Sequence, residues 1–278
     1  MNPKKCSLAT SEVKYLGYIV NGQGVRVDPD KVNVILNFPT PRNVKELKSF
    51  LGMVGYWRRW IKGLSEMIAP LNHLTSKNVP YQWSQECQDS FNKVKSALVN
   101  PPILSYPNFD GSSFILQTDA SKHGLGFILS QIQKGEEKVL SYGSRATSDV
   151  ESRYSATELE ALAVVAGIKR YHPYFQFGQK FFVLTDHAPL VALFNSTHFS
   201  GDNASHRLSR FHMFVSQYNF EMMYVKGKEN HVDLLSRVVS PCTPTEAEIV
   251  LNDEDDFGIA NLFVEPENSP GSVHAVRK

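Results

Sequence analysis

FILQTDAS, residues 114–121, is an apolar run that ends on a carboxylate, and FFVLTDH, residues 181–187, repeats the shape with Thr185-Asp186 at its end. One such pair is ordinary turn chemistry, because aspartate caps turns and helix starts. Two in one chain suggest a shared purpose. Both runs read as buried strands, and their surroundings supply the rest of a sheet. GLGFILSQ and KVLSYGS follow the first run, a helix is expected over 155–171, and FFVLTD comes next. Then come a short helix around PLVALF, a longer helix near 203–217, the strand NFEMMYV and a short helix at NHVDLLSR. The order, three strands, a helix, a strand, one or two helices, a strand and a helix, fits a mixed sheet flanked by helices.

Such folds gather strand C-terminal ends and the starts of following helices at one rim, where ligands bind. Four carboxylates are expected there: Asp119 and Asp186 at strand ends, Glu158 in YSATELEALAVV and Asp233 in KGKENHVDLLSR. Each has a plainer reading. Asp119 would cap the turn at Ser121-Lys122, and Asp186 would cap the helix at Ala188-Pro189. Ser155 and Glu158 would form a capping box, and Asp233 would sit favourably in a first helical turn. Together, four converging acids would repel one another unless divalent cations offset the charge. An oxygen-only ligand set favours Mg²⁺ or Mn²⁺, and a pair of ions suits phosphodiester cleavage.

The first hundred residues have another texture. VKYLGYIVNGQGVRV, residues 13–27, reads as two short strands around Asn21-Gly22-Gln23-Gly24. Asp28-Pro29 opens a helix, Asn43 with Glu46 opens another, and further helices are expected at LSEMIAPLNHL and after Ser84. Arg58, Arg59 and Lys62 lie among Tyr56, Trp57 and Trp60. Pro101-Pro102 ends this helical section and Pro107 marks a connector. Four segments result: a β-hairpin over 1–27, a helical domain and connector over 28–110, the sheet domain over 111–238, and an acidic, disorder-prone tail over 239–278.

Charge is uneven although the 278-residue chain nets only +1. Residues 1–110 carry 14 Lys and Arg against 8 Asp and Glu, whereas residues 240–278 carry 2 against 8. A basic first part suits phosphates; an acidic last part reads as a solvated tail. Cys6, Cys87 and Cys242 have no metal-ligand or disulfide-framework spacing. No run has signal-peptide character or the length to span a bilayer, so a soluble, intracellular protein without a membrane partner is expected.

LQTDASKHGLGFILSQ, the YSATELEALAVV helix, FFVLTDHAPL and YVKGKENHVDLLSR resemble, in order and spacing, the ribonuclease H domain of Ty3/gypsy-type retrotransposon polyproteins. KCSLATSEVKYLGYIV, VDPDKVNVILNFPTP and VKELKSFLGMVGYWRRWI are similar to the palm end and thumb of the same polyproteins. The implied fold is α/β: a ribonuclease H-like mixed five-stranded sheet with flanking helices, preceded by a small helical thumb-like domain with a β-hairpin. The resemblance implies hydrolysis of the RNA strand of RNA–DNA hybrids, with Asp119, Glu158, Asp186 and Asp233 holding two Mg²⁺ ions, Mn²⁺ being an alternative. It assigns the catalytic glutamate to Glu158 and turns Glu160 elsewhere.

YLGY would correspond to the hairpin that grips the primer end. Lys45, Lys48, Arg58 and Arg59 are candidates for sequence-independent phosphate contact with an RNA–DNA hybrid or template–primer duplex; the alternative makes Trp57 and Trp60 core and the arginines solvated surface. The polymerase aspartates are expected upstream of residue 1, so the chain alone is not expected to polymerise DNA, and the missing polymerase portion is a candidate partner. Location would be the cytoplasm or a virus-like particle, with the nucleus also open. The final motif departs from the family by having no histidine in Tyr224-Val225-Lys226-Gly227, although His231 is close, and by carrying Val232 and Leu234 around its aspartate. The rival reading is a non-catalytic nucleic-acid-binding or scaffold protein derived from such an element.

Overall fold

Leu16 and Gly17, both with positive φ, split the first expected strand in two. The computed structural model describes residues 9–176, 179–195 and 205–225. In place of a two-stranded hairpin it has an antiparallel meander of β1 (Glu12–Tyr15), β2 (Tyr18–Asn21) and β3 (Gly24–Val27). Tyr15 pairs with Tyr18, so Leu16-Gly17 is a two-residue turn of the kind that matches strand twist. The sequence pattern hides this turn because Leu16 looks like a strand residue.

The helical section starts where its caps predict. Asp28 accepts a hydrogen bond from the Asp30 N–H at the head of α1 (Pro29–Leu36). Asn43 accepts one from the Glu46 N–H at the head of α2 (Val44–Tyr56), and the Glu46 carboxylate reaches back to the Arg42 N–H at 2.8 Å. LSEMIAPLNHL forms two short helices, α3 (Leu64–Met67) and α4 (Ala69–His73), and Ser84 caps α5 (Gln85–Val99). Leu47, Phe50 and Val54 of α2 pack with Phe91 and Val94 of α5 and with Trp57 and Trp60 in one core. The tryptophans are therefore interior, as their plainer reading held.

Residues 114–146 form a three-stranded antiparallel set, β4 (Phe114–Ala120), β5 (Gly124–Gln133) and β6 (Glu136–Ala146). α6 (Ala156–Arg170) and α7 (His172–Phe175) lead to β7 (Phe181–Thr185), which lies parallel to β4. α8 (Ala188–Asn195) and α9 (His206–Val215) lead to β8 (Phe220–Tyr224), parallel to β7. The sheet order is β6-β5-β4-β7-β8, the mixed five-stranded sheet with flanking helices that the sequence implies. β7 is buried along its whole length, as a central parallel strand requires.

α6 covers the face of the sheet formed by Phe114, Leu116, Phe127 and Leu129. Gly167 sets the spacing, because a Cβ there would come within 3.2 Å of both Leu116 methyls and crowd the helix off the strand. The helical section is joined to the sheet directly. The Ser65 N–H and hydroxyl both reach Ser144 Oγ at 3.1 Å, and Val139 and Tyr142 of β6 pack against the core of the helical section. The expected helix at NHVDLLSR and the acidic tail lie outside the described residues. No helix among the described residues is long and apolar enough to cross a membrane.

Candidate active site

Asp119 is the penultimate residue of β4 and Asp186 directly follows β7. Since β4 and β7 are parallel neighbours, their carboxyl ends fall at the same rim of the sheet. Both side chains are exposed. The plainer capping roles are taken by their neighbours. Ser121 Oγ accepts from the His123 and Gly124 N–H groups in the turn after β4, and Thr185 Oγ1 accepts from the His187 N–H in the turn after β7. Among the described residues, no hydrogen bond or ion pair occupies the Asp119 or Asp186 carboxylate.

Glu158 stands differently. It completes the capping box with Ser155, accepting from the Ser155 N–H at 3.0 Å. Its other oxygen accepts from the Ser205 hydroxyl at 2.9 Å and from Arg207 at 2.6 Å, and the Arg207 guanidinium lies 3.8 Å over the Tyr154 ring. Burial pushes this carboxyl up, but the hydrogen bonds from Ser155, Ser205 and Arg207 outweigh it and hold the group below its ordinary range. Glu158 thus ties the head of α6 to the head of α9, and its charge is satisfied there.

Glu160 is the acid that meets the other two. It is 9% exposed, and one carboxylate oxygen, Oε2, is buried with no hydrogen-bond partner. Burial first, then the charges of Asp119 and Asp186, push it up to about 7, against a small opposing pull from the Ala120 backbone N–H. The expectation that Glu160 turns away is therefore corrected: α6 lies on the sheet so that this position, not Glu158, faces the strand ends. The resemblance places Glu158 in the site, and its plainer reading, a capping box with Ser155, is what the structure shows. The facing of Glu160 depends on how α6 is rotated against β4, which no local pattern records.

The rim opens into a cavity of about 190 Å³ lined by Asp119, Ser121 and Asp186 from the sheet and by Lys62 and Glu66 from the helical section. Neither Lys62 nor Glu66 had any signal as a site residue. Among the described residues no three His, Cys, Asp or Glu side chains form a ready-made metal site. The acids nonetheless feel one another's charge. That arrangement fits carboxylates spread by mutual repulsion and is compatible with a divalent cation: every donor is oxygen, and one buried oxygen is unpartnered. Asp233, like His231, lies outside the described residues.

The candidate phosphate contacts divide. Lys45 and Lys48 are exposed on one side of α2. Arg58 and Arg59 lie in a 3-10 turn over Arg58–Trp60 and are half-buried rather than solvated surface. Arg59 is close enough for its charge to act on the Tyr18 and Tyr171 hydroxyls, whereas Arg58 faces Arg170 of α6.

A family described as the RNase H-like domain found in reverse transcriptase matches residues 83–183. The retrovirus-related Pol polyprotein from transposon 412 of Drosophila melanogaster is 39% identical over 239 residues, covering 86% of this chain and 19% of that polyprotein. The corresponding polyprotein from transposon opus of the same organism is 34% identical over 92% of this chain and 26% of its own length. The chain thus spans about a fifth to a quarter of these relatives. Among solved structures, the foamy viral protease-reverse transcriptase in complex with RNA/DNA hybrid matches with a TM-score of 0.66 and 21% identity, over 89% of this chain and 33% of that one, a likeness of fold. Residues 83–183 thus match an RNase H-like domain found in reverse transcriptase, and most of the chain is similar to one part of retrotransposon Pol polyproteins.

Proposed function

We propose that this chain, as the ribonuclease H region of a retrotransposon polyprotein of the Ty3/gypsy type, hydrolyses the RNA strand of RNA–DNA hybrids. Asp119, Asp186 and Glu160, with Asp233, are the groups that would hold divalent cations, magnesium or manganese. When bound, such ions supply Lewis-acid stabilisation of phosphodiester cleavage. Glu160 takes the role that the resemblance implies for Glu158, and Glu158 becomes the residue that fixes the start of α6. The observation that supports this reading most is the buried, partly unpartnered Glu160 carboxylate pressed by the charges of Asp119 and Asp186.

The chain's own groups have distinct tasks. Without cations, the acids repel a phosphodiester, and Glu160 is half protonated near pH 7. Lys62, at the same cavity, offers the opposite charge to an incoming phosphate. Lys45, Lys48 and Arg59 would contact phosphates without reading bases, so binding falls as salt rises. Selection of the hybrid would come from groove shape and ribose 2′-hydroxyl contacts.

The test is cleavage of a labelled RNA–DNA hybrid by the purified chain in Mg²⁺, with single-stranded RNA and Asp119→Asn alongside. Hybrid-specific cutting that the substitution abolishes is the expected result. Folded protein that cuts nothing in Mg²⁺ or Mn²⁺ would overturn the nuclease reading and leave a nucleic-acid-binding scaffold.

A further inference from the structure

The helical section and the sheet also meet at a second cavity, of about 320 Å³, whose lining is cationic. Arg58 enters it from the 3-10 turn after α2, Arg145 from β6, and Lys169 and Arg170 from the last turn of α6. Phe127 and Ser144 form part of its wall, and both also border the cavity at Asp119 and Asp186. Among the described residues no acidic side chain lines it. Arg145 is already neutralised by a two-pronged pair with Glu151 at 2.7 and 2.8 Å. Lys169 rests its ammonium 5.0 Å over the Phe214 ring. Arg58 and Arg170 are different: among the described residues neither has a carboxylate partner.

Arg58 is the less comfortable of the two. Its Nε is buried with no hydrogen-bond acceptor. Burial, and then the charge of Arg170, hold its guanidinium below the ordinary arginine range. A half-buried donor with no acceptor and a like charge across an open cavity carries a standing penalty. A planar guanidinium presents paired donors that match the oxygens of a phosphate, and a second guanidinium beside it strengthens the match.

We propose that the Arg58–Arg170 cavity is a binding site for a phosphate-type oxyanion, supplied either by a backbone phosphodiester of a bound strand or by free phosphate. The site shares its wall with the acidic cavity, so an anion held here lies next to the cleavage site without depending on its acids.

Two binding measurements on the full chain, without divalent metal, test the proposal. The first is thermal melting in inorganic phosphate against chloride at equal ionic strength. The second is the salt dependence of RNA–DNA hybrid binding, read by fluorescence anisotropy, for the natural chain and Arg170→Gln. Arg170 is exposed, so this substitution leaves the fold intact; Arg58→Gln repeats the test from the other side. A phosphodiester occupant makes the log–log salt slope shallower by about one in the variant. A free-phosphate occupant raises the melting temperature of the natural chain in phosphate, an increase that Arg170→Gln removes, and leaves the slope unchanged. An unchanged slope, or no hybrid binding at all, combined with no stabilisation by phosphate overturns the proposal. Neither readout involves cleavage, so an inactive nuclease would leave the site standing.

Discussion

At the head of α6, Glu158 is gripped by Ser155, Ser205 and Arg207, while Glu160 meets the charges of other acids at the strand ends with only the Ala120 N–H to offset them. The far end of the helix repeats the contrast in the opposite sign. Arg145 has Glu151, while Arg58 and Arg170 face one another without an acid. In each pair the satisfied charge serves the fold, and the unsatisfied one stores repulsion that a ligand of opposite charge can relieve. Glu158 in the first turn of α6 and Lys169 and Arg170 in its last turn also agree with the helix dipole.

The contrast breaks most visibly in catalysis. Asp119→Asn, Asp186→Asn or Glu160→Gln is expected to lower hybrid cleavage by on the order of 10³-fold, about 4 kcal/mol of barrier. Glu158→Gln should stay within about tenfold of the natural rate, a change of about 1.4 kcal/mol. Initial rates on a labelled hybrid separate the two glutamates. Equal losses at both positions would erase the division between them.

The next effect is on stability against pH. The folded pKa of Glu160, about 7, lies above its ordinary value of 4.5. Across that window the folded chain keeps a proton that the unfolded chain has released, so stability falls as pH rises from about 4.5 to 7 and then levels. The full loss is about 3 kcal/mol at 1.36 kcal/mol per pH unit. Denaturant melts at pH 5 and pH 8 should show this slope in the natural chain and a flat profile in Glu160→Gln. Mg²⁺ should stabilise the natural chain more at pH 8 than at pH 5.

Glu158→Gln should lower stability by about 1–2 kcal/mol, because a capping box and an ion pair are both weakened. The same melts check it, and a loss below a few tenths would remove Glu158 from its structural role. Smallest is Glu151→Gln. Arg145 holds the Glu151 carboxyl down at about 2, so its contribution is present above pH 4.5 and disappears as pH falls through 2. Arg145 is 39% exposed, and solvent screening limits the expected loss at pH 7 to about 0.5–1 kcal/mol.

Much of this was legible in the sequence wherever the signal is local. Asp28, Asn43, Ser84 and Ser155 each begin the helix that their chemistry announces. The apolar runs at 114–118 and 181–185 became strands with their aspartates at one rim. What escaped was set by packing between elements. Leu16 carries a positive φ that its side chain does not advertise. Arg58 has the same residue type as a solvated thumb contact, and only the docking of the helical section on β6 draws it inward. The choice between Glu158 and Glu160 turns on the orientation of one helix; the capping box at Ser155 and Glu158 marks where that helix starts but not which side of it faces the strand ends.

One joint between the two sheets carries a mechanical consequence. Val25 and Leu104 exchange both backbone hydrogen bonds, at 2.8 and 3.0 Å, and the next residue, Ser105, donates to Val139 O of β6 at 2.9 Å. The entry and exit of the helical section are therefore fastened at one point, which is itself stitched to the edge of the larger sheet. A pull applied at β3 reaches β6 through three hydrogen bonds and never has to travel through the five helices between them. The helices lie in the loop that this joint closes, and the Ser65–Ser144 contacts fasten that loop to β6 a second time.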